Sequence, residues 1–540
     1  MHTAEGTSAW LNLLAFSNLD NLYSTWNAKL WKGQEGYKLS KATPPRIFVT
    51  LAASTLGVME AQAGHVSSSQ IGYELRLDYL REYDDLEAQL HEMLLRLRSP
   101  HTIATCRRAE AGGLFAGSVE DQAAVLDAAV RAGCHWVDIE MESVQREGVL
   151  MLSRFRPARI IVSHHNFRKT PPLGDIYRRL SRLPVAVAKI ATHARNLSDT
   201  LRFQRLLRGR RGRGPKLVAF ALGPSGLPSR LLSLRWGCPF AYASAGSLSA
   251  VAPGQLPAEV MRSVYRVEHL NHRTQLYGIV GSRASMSLSP AMQNAAFQAK
   301  HVNAVYLPCE TNHMRDFLSF ARHLGFAGFS VTMPFKRAII PELDWVDPLA
   351  SQIGACNTVA LQHGKRMGWN TDAAAVVEVL TKRLRLAGSR ILILGAGGAA
   401  RAAACALRAE GAVVFIVARR EAAARTLARS VSAQVVPWGS AEGLDVDAVI
   451  NATPVGMAPH VDALPIDLAR LRVRVVFDMV YHPQETRLLA DARGRGLTTI
   501  SGLEMLVAQG ARQFEIWTGQ SAPRALMEQA ARQAFSLSAG

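Results

Sequence analysis

From residue 46 to the C-terminal end, short apolar runs of strand-forming residues alternate with longer stretches of helical spacing. The runs Ile47–Leu51, Gly72–Leu77, Thr102–Cys106, Trp136–Ile139, Ile160–Val162, Val185–Ile190, Leu217–Ala221 and Pro239–Ala243 read as strands. Helical patterns such as Val119–Ala132 and Ile176–Leu183 fall between several of them. Parallel strands joined by helices bury both sheet faces, and eight of them predict a (β/α)8 barrel over 46–262. A second αβ segment begins at Leu276 and runs to about Ala375. Strands at Ala448–Asn451 and Val475–Met479 and a closing helical region, Leu503–Ser536, complete the chain.

This pattern predicts an α/β protein of three domains behind an N-terminal extension, 1–45. They are the barrel, a substrate-binding αβ domain over 270–375 completed by helices in 503–536, and a Rossmann dinucleotide-binding domain over 380–502. The tract Val260–Thr274 carries few turn signals and reads as the link after the barrel. The extension has no basic start before an apolar core and is poor in Arg, which fits neither a secretory signal nor a transit peptide.

Composition narrows the class. Of 540 residues, 48% are hydrophobic and 19% charged, with 41 Gly and 24 Pro, which excludes a disordered chain or a collagen-like repeat. No apolar run reaches the ~18–20 residues of a membrane span. The six cysteines are scattered without a Cys-x-x-Cys pair and read as reduced core thiols of a cytoplasmic protein. The net charge of +19 raises nucleic-acid binding as a possibility. The one dense basic run, Arg205 to Lys216, lacks interleaved aromatics and reads as a solvated loop, so no nucleic-acid partner is expected. A positive field also steers anionic substrates.

Candidate chemistry begins at the glycine turn. Gly395, Ala396, Gly397, Gly398, Ala399 and Ala400 match G-x-G-x-x-A directly after the strand ILIL and open a helix. At the end of the following strand stand Arg419 and Arg420, where an NAD enzyme places an acid. Two guanidinium groups there suit a 2′-phosphate, so NADP is the expected cofactor.

Upstream of the turn come Ser287-Leu288-Ser289-Pro290, Gly328 to Lys336 (GFSVTMPFK), Gly354 to Thr358 (GACNT) and Asn370-Thr371-Asp372. Downstream lie Asn451 to Met457 (NATPVGM), Asp478 to Pro483 (DMVYHP) and Gly502 to Gln509 (GLEMLVAQ). Together, over about 276 to 530, these resemble shikimate dehydrogenase. The resemblance implies that Ser287 and Ser289 hold the substrate carboxylate and that Lys336 and Asp372 form the catalytic dyad. It further implies that Thr332, Asn357, Tyr481 and Gln509 hold ring hydroxyls, while Thr453, Met479 and Gly502 join the glycine turn around the cofactor. Three departures from the family pattern are Ser330 for Asn, Gln293 for His and Ala418 for Asn.

In the first half, Glu74 and Arg76 lie on one strand, Arg107 ends the next, and Ser163-His164-His165 and Lys189 end two later ones. Polar residues at strand C-termini of such a barrel face its active end. A lysine after the apolar VAVA strand is a candidate amine nucleophile, activated by burial and by cations such as Arg76 or Arg230. Over roughly 46 to 262 this set resembles type I 3-dehydroquinate dehydratase. The resemblance implies a Schiff base at Lys189, proton transfer by His165, and Arg230 on the carboxylate, with Glu74, Arg76, Arg107 and Gln255 lining the pocket and no metal required. The family expects a glutamate at position 111, where this chain has Ala111, so either Glu110 shifts into register or the barrel is slower than its relatives. Val251 also replaces a customary Ser.

The two resemblances in this order imply a fused enzyme that dehydrates 3-dehydroquinate and reduces 3-dehydroshikimate to shikimate. The alternatives are a shikimate or quinate dehydrogenase carrying a non-catalytic barrel, and a metabolite-sensing regulator. Oligomeric state is not legible in the pattern.

Overall fold

In a computed structural model of the chain, residues 45–539 are described apart from 67–69, 98, 100, 211–213, 247–248 and 442. The N-terminal extension therefore lies almost wholly outside the described residues. Contacts divide the chain into two compact units, residues 1–192, 206–219 and 237–245 in one, and 193–205, 220–236 and 246–540 in the other.

The first sheet holds β1 (Ile47–Leu51), β2 (Ile71–Arg76), β3 (Thr102–Thr105), β4 (Trp136–Glu140), β5 (Arg159–Asn166), β6 (Val187–His193), β7 (Lys216–Leu222) and β8 (Ala241–Ser244). Their order is β7-β6-β5-β4-β3-β2-β1-β8, with β1 bonded to both β2 and β8 in parallel register. This is the near-closed eight-stranded α/β barrel expected from the pattern. Strands such as β1 and β4 are buried at every position, as parallel strands covered on both faces must be. The helix Val119–Ala132 shows how local sequence sets an element. Ser118 and Asp121 form a reciprocal capping box, and Gly133 closes the helix at φ 115°. Val119, Ala123, Leu126 and Val130 recur at helical spacing and are buried. Losing such a cap costs ~1 kcal/mol.

A second, mixed sheet contains β9 (Gln275–Gly281), β10 (Ala304–Glu310), β11 (Phe326–Val331), β12 (Trp345–Val346), β13 (Thr358–Gln362) and β14 (Lys365–Trp369), in the order β10-β9-β11-β13-β14-β12. The third contains β15 (Arg390–Leu394), β16 (Val413–Val417), β17 (Gln434–Val435), β18 (Ala448–Asn451), β19 (Val475–Asp478) and β20 (Thr498–Ile500). Its order β17-β16-β15-β18-β19-β20 is parallel throughout and reverses direction between β15 and β18, the switch point where such sheets bind ligands. The helix Gly398–Ala409 buries five alanines, Ala400, Ala402, Ala403, Ala404 and Ala406, whose small side chains let it lie close to the strands.

Several expectations are corrected. β5 runs from Arg159 to Asn166, longer than the expected Ile160–Val162, and it carries both histidines at its end as expected. Arg205–Arg208 finish the helix Leu197–Arg208, so the basic run is a loop only from Gly209, with 211–213 outside the described residues. The tract after residue 260 opens with a π-helical turn, Val260–Val264. The closing region is two helices, Gly502–Thr518 and Arg524–Ala539, parted at Gly519 in the left-handed conformation.

Candidate active sites

Alternation along the barrel strands turns every second side chain inward. Glu74 and Arg76 on β2, Asp138 and Glu140 on β4, His165 on β5 and Lys189 on β6 are all buried or nearly so. Lys189 Nζ lies 2.7 Å from Asp138 Oδ2, 3.2 Å from Glu74 Oε1 and 3.9 Å from the centre of the Tyr242 ring. Its nearest neighbours are therefore two carboxylates rather than the cations expected from the sequence. Arg76 is committed to Asp78 through two bonds of 2.8 and 2.7 Å. Arg107 reaches Asp138 at 3.4 Å and Glu140 at 3.6 Å.

Burial pushes the Glu74 carboxyl upward, but Lys189, Arg107 and Arg76, with the Thr50 hydroxyl, outweigh it and bring it down to about 2. Burial, then Arg107 and Lys189, hold His165 well below the usual imidazole range, so it is neutral. His165 Nδ1 is buried without a hydrogen-bond partner among the described residues. His164, the adjacent residue, points away and sits 2.7 Å from Glu142. Glu110 does not shift into register. It is more than half exposed and pairs with Arg146 at 2.8 Å and Arg108 at 3.5 Å.

Arg230 and Gln255 fall in the second unit. The Arg230 guanidinium is buried over the Phe220 ring at 4.4 Å, with Nη2 3.4 Å from the Pro253 carbonyl. Burial lowers its pKa to about 9, which leaves it a cation near neutrality. Gln255 Oε1 accepts from the Val251 N–H at 3.1 Å.

The second constellation lines one cleft, open to solvent. Ser287, Ser289, Thr332, Lys336, Asn357, Asp372, Tyr481 and Gln509 all contribute to its wall, together with Ala399, Met479 and Gly502. Lys336 Nζ is 2.6 Å from Asp372 Oδ2. Asp372 stands in the first turn of the helix Thr371–Thr381, capped by Asn370, where the helix dipole favours a carboxylate. Asn357 Nδ2 donates to the other Asp372 oxygen at 2.8 Å. Burial raises the Tyr481 hydroxyl, and a bond to Ser287 opposes it.

The glycine turn adjoins this cleft. Gly395 has φ +114°, and a Cβ there would lie 3.1 Å from the Ala452 carbonyl oxygen, so only glycine fits. A Cβ at Gly397 would meet nothing within 4 Å, which leaves the turn open on that side. The helix that follows has no side-chain cap, and its free N–H groups suit the diphosphate of a dinucleotide. Ala396 is half-buried in the turn, while Arg419 and Arg420 are exposed just past β16.

Sequence reading missed Asp138, Glu140 and Gln513. Asp138 and Glu140 are two acids at i, i+2 inside an apolar strand, a spacing that sends both inward. Gln513 follows Gln509 by four residues on the same helix face and donates to the Asn357 carbonyl at 3.2 Å and Thr358 Oγ1 at 3.0 Å. Ser330, noted only as a departure, accepts from the Tyr306 hydroxyl at 2.6 Å and donates to Gln513 Oε1 at 2.7 Å.

Fold and sites together define a two-centre enzyme: a lysine-centred α/β barrel, and a lysine–aspartate cleft beside a dinucleotide turn. Family models match three stretches of the chain. Type I 3-dehydroquinase matches residues 47–272, the shikimate dehydrogenase substrate binding domain 279–359, and the shikimate 5′-dehydrogenase C-terminal domain 502–532. A chloroplastic bifunctional 3-dehydroquinate dehydratase/shikimate dehydrogenase of Arabidopsis thaliana is 32% identical over 494 residues, covering 87% of this chain and 81% of that protein. A shikimate dehydrogenase (NADP(+)) of Methanocella arvoryzae is 42% identical over 273 residues, 48% of this chain and 99% of that protein. A Thermus thermophilus shikimate 5-dehydrogenase, solved with NADP(H) and shikimate, shows 35% identity and a TM-score of 0.45, over 48% of this chain and all of that one. The chain belongs to the bifunctional 3-dehydroquinate dehydratase/shikimate dehydrogenase family.

Proposed function

We propose that the chain dehydrates 3-dehydroquinate to 3-dehydroshikimate at Lys189 and reduces that product to shikimate, with NADP as cofactor, at Lys336 and Asp372. The observation that carries this reading is the presence, in one chain, of two lysines each held by a carboxylate, Lys189 at 2.7 Å and Lys336 at 2.6 Å, each within its own family match. The domain boundaries 46–262, 270–375 with 503–536, and 380–502 follow from the same reading. Cytoplasmic placement belongs with it, and no helix among the described residues is long and apolar enough to cross a membrane.

In the barrel, the Lys189 amine adds to the C3 ketone and water leaves, forming a Schiff base. Asp138, the closest carboxylate, takes the proton that the ammonium must lose. His165, neutral and buried, removes the C2 proton and returns it to the C1 hydroxyl, which departs as water. The iminium accepts the electrons released at C2, their return expels the C1 hydroxyl, and water then hydrolyses the imine to release 3-dehydroshikimate and free the Lys189 amine. The family pattern would give the carboxylate to Arg230 and the lining roles to Glu74, Arg76, Arg107 and Gln255.

In the second site, NADPH when bound supplies the hydride for the C3 carbonyl. Lys336 stabilises and protonates the forming alkoxide, and Asp372 orients the ammonium. Ser287 and Ser289 hold the carboxylate, and Thr332, Asn357, Tyr481 and Gln509 hold ring hydroxyls. Residues 395–399 receive the diphosphate, Arg419 and Arg420 the 2′-phosphate, and Thr453, Met479 and Gly502 the remaining walls of the cofactor cleft.

A second reading keeps the dehydrogenase and makes the barrel non-catalytic. It is favoured by the Nδ1 of His165, which has no hydrogen-bond partner among the described residues, and by Ala111. Borohydride trapping with 3-dehydroquinate separates the two. A working barrel acquires a stable adduct on Lys189, and the Lys189→Ala variant acquires none. Consumption of NADPH that depends on added 3-dehydroquinate tests both sites in one cuvette.

A further inference from the structure

Asp478, the last residue of β19, is fully buried. Three groups donate to it: Asn451 Nδ2 at 2.9 Å and the Val480 N–H at 3.0 Å to Oδ1, and Thr486 Oγ1 at 2.7 Å to Oδ2. None is cationic, and among the described residues no ion pair offsets its burial. A carboxylate buried in this way carries a cost that a purely apolar packing residue at a strand end would avoid.

Its partners lead to the cofactor cleft along two routes. Asn451 Oδ1 accepts from both the N–H and the hydroxyl of Thr453, at 3.0 and 2.6 Å, and its Nδ2 also holds the Val455 carbonyl at 3.1 Å. Thr453 in turn packs on the glycine turn, its Cγ2 3.2 Å from where a Cβ of Gly395 would stand. The second route runs through the Val480 N–H, which fixes the backbone directly after Met479. A Cβ at Gly502 would lie 2.7 Å from the Met479 carbonyl oxygen and 2.5 Å from that of Val480. Met479 and Gly502, which line the cleft beside Lys336 and Asp372, and Thr453, which packs on the glycine turn, thus trace back to one oxygen of one side chain.

We propose that Asp478 is the positioning residue for the nicotinamide half of the cofactor cleft, acting through Asn451 on Thr453 and through the Val480 N–H on Met479 and Gly502. The inference rests on the cofactor assignment made above. Arg419 and Arg420, at the adenosine end, hang on a different strand and are independent of it.

The test measures equilibrium binding of two ligands to the full-length protein by calorimetry: NADP+ and adenosine 2′,5′-bisphosphate, which lacks the nicotinamide half. Asp478→Ala is expected to weaken NADP+ at least tenfold and to leave the bisphosphate within twofold. Asp478→Asn keeps an oxygen acceptor for Asn451 and Val480, donates to Thr486, and is expected to restore NADP+ affinity. Turnover of 3-dehydroquinate on the same samples controls for folding. Unchanged NADP+ affinity in Asp478→Ala overturns the proposal. So does an equal loss of both ligands, the mark of a merely structural role, and so does an Asn variant no better than Ala. A wild-type protein that binds neither ligand refutes the cofactor assignment itself and takes this inference with it.

Discussion

Glu110 faces away from His165: its carboxylate is bound to Arg146 at 2.8 Å, and the buried Nδ1 of the histidine has no partner among the described residues. An imidazole without a second hydrogen bond has neither its tautomer nor its ring plane fixed by one. Ala111→Glu is therefore expected to raise dehydratase kcat roughly fivefold, the equivalent of ~1 kcal/mol from one oriented hydrogen bond. Steady-state formation of 3-dehydroshikimate measures it, and an unchanged kcat rules out orientation of His165 as the limit.

Asp138 holds Lys189 more closely than Glu74 does, and also accepts from Ser163 at 2.6 Å. Asp138→Asn should abolish borohydride trapping at Lys189, because the proton acceptor is gone. It should also destabilise the barrel by roughly 3–5 kcal/mol, the cost of breaking a buried ion pair. Denaturant unfolding and mass analysis of the trapped protein read the two effects separately.

Two carboxylates give the chain opposite pH dependences. Glu74 falls from 4.5 to about 2 in the fold, so its contribution is complete above pH 4.5 and is lost as pH drops through 2. Asp478 rises from 3.8 to about 6 through burial, so its contribution is complete below pH 3.8 and is lost as pH climbs through 6. Glu74→Gln should differ most from wild type near neutrality and converge with it below pH 2. Asp478→Asn should gain stability over wild type between pH 4 and 6 and hold that gain at pH 7, by up to about 3 kcal/mol. Unfolding midpoints across pH 2–8 check both signs.

Lys336→Ala should abolish NADPH oxidation with 3-dehydroshikimate while conversion of 3-dehydroquinate continues, since the two lysines lie in different sheets' sites. Retained reduction in this variant would remove Lys336 from the mechanism.

Arg419→Ala should raise the Michaelis constant for NADPH by the loss of ~1.5–3 kcal/mol of charged hydrogen bonding, with little effect on NADH. An unchanged NADPH/NADH preference would show that the 2′-phosphate is read elsewhere.

Much of this was legible along the chain because it is local. The strand and helix periods came through to within a few residues for β1, β3 and the helix Val119–Ala132, and the glycine turn carried its own context of strand, turn and helix. The cleft lined by Ser287, Lys336, Asp372 and Gln509 was likewise marked by motifs, since each sits on a short segment of fixed shape. What linear order did not contain were pairings across strands and helices. That Lys189 meets Asp138 and Glu74, 51 and 115 residues away, rather than the arginines, depends on which inward side chains share a layer of the barrel. That Glu110 leaves for Arg146, and that Asp478 bonds to Asn451 and Thr486, depends likewise on which groups folding brings within 3 Å. Secondary structure is set by neighbours a few residues apart, whereas charge state and hydrogen-bond partners are set by neighbours in space.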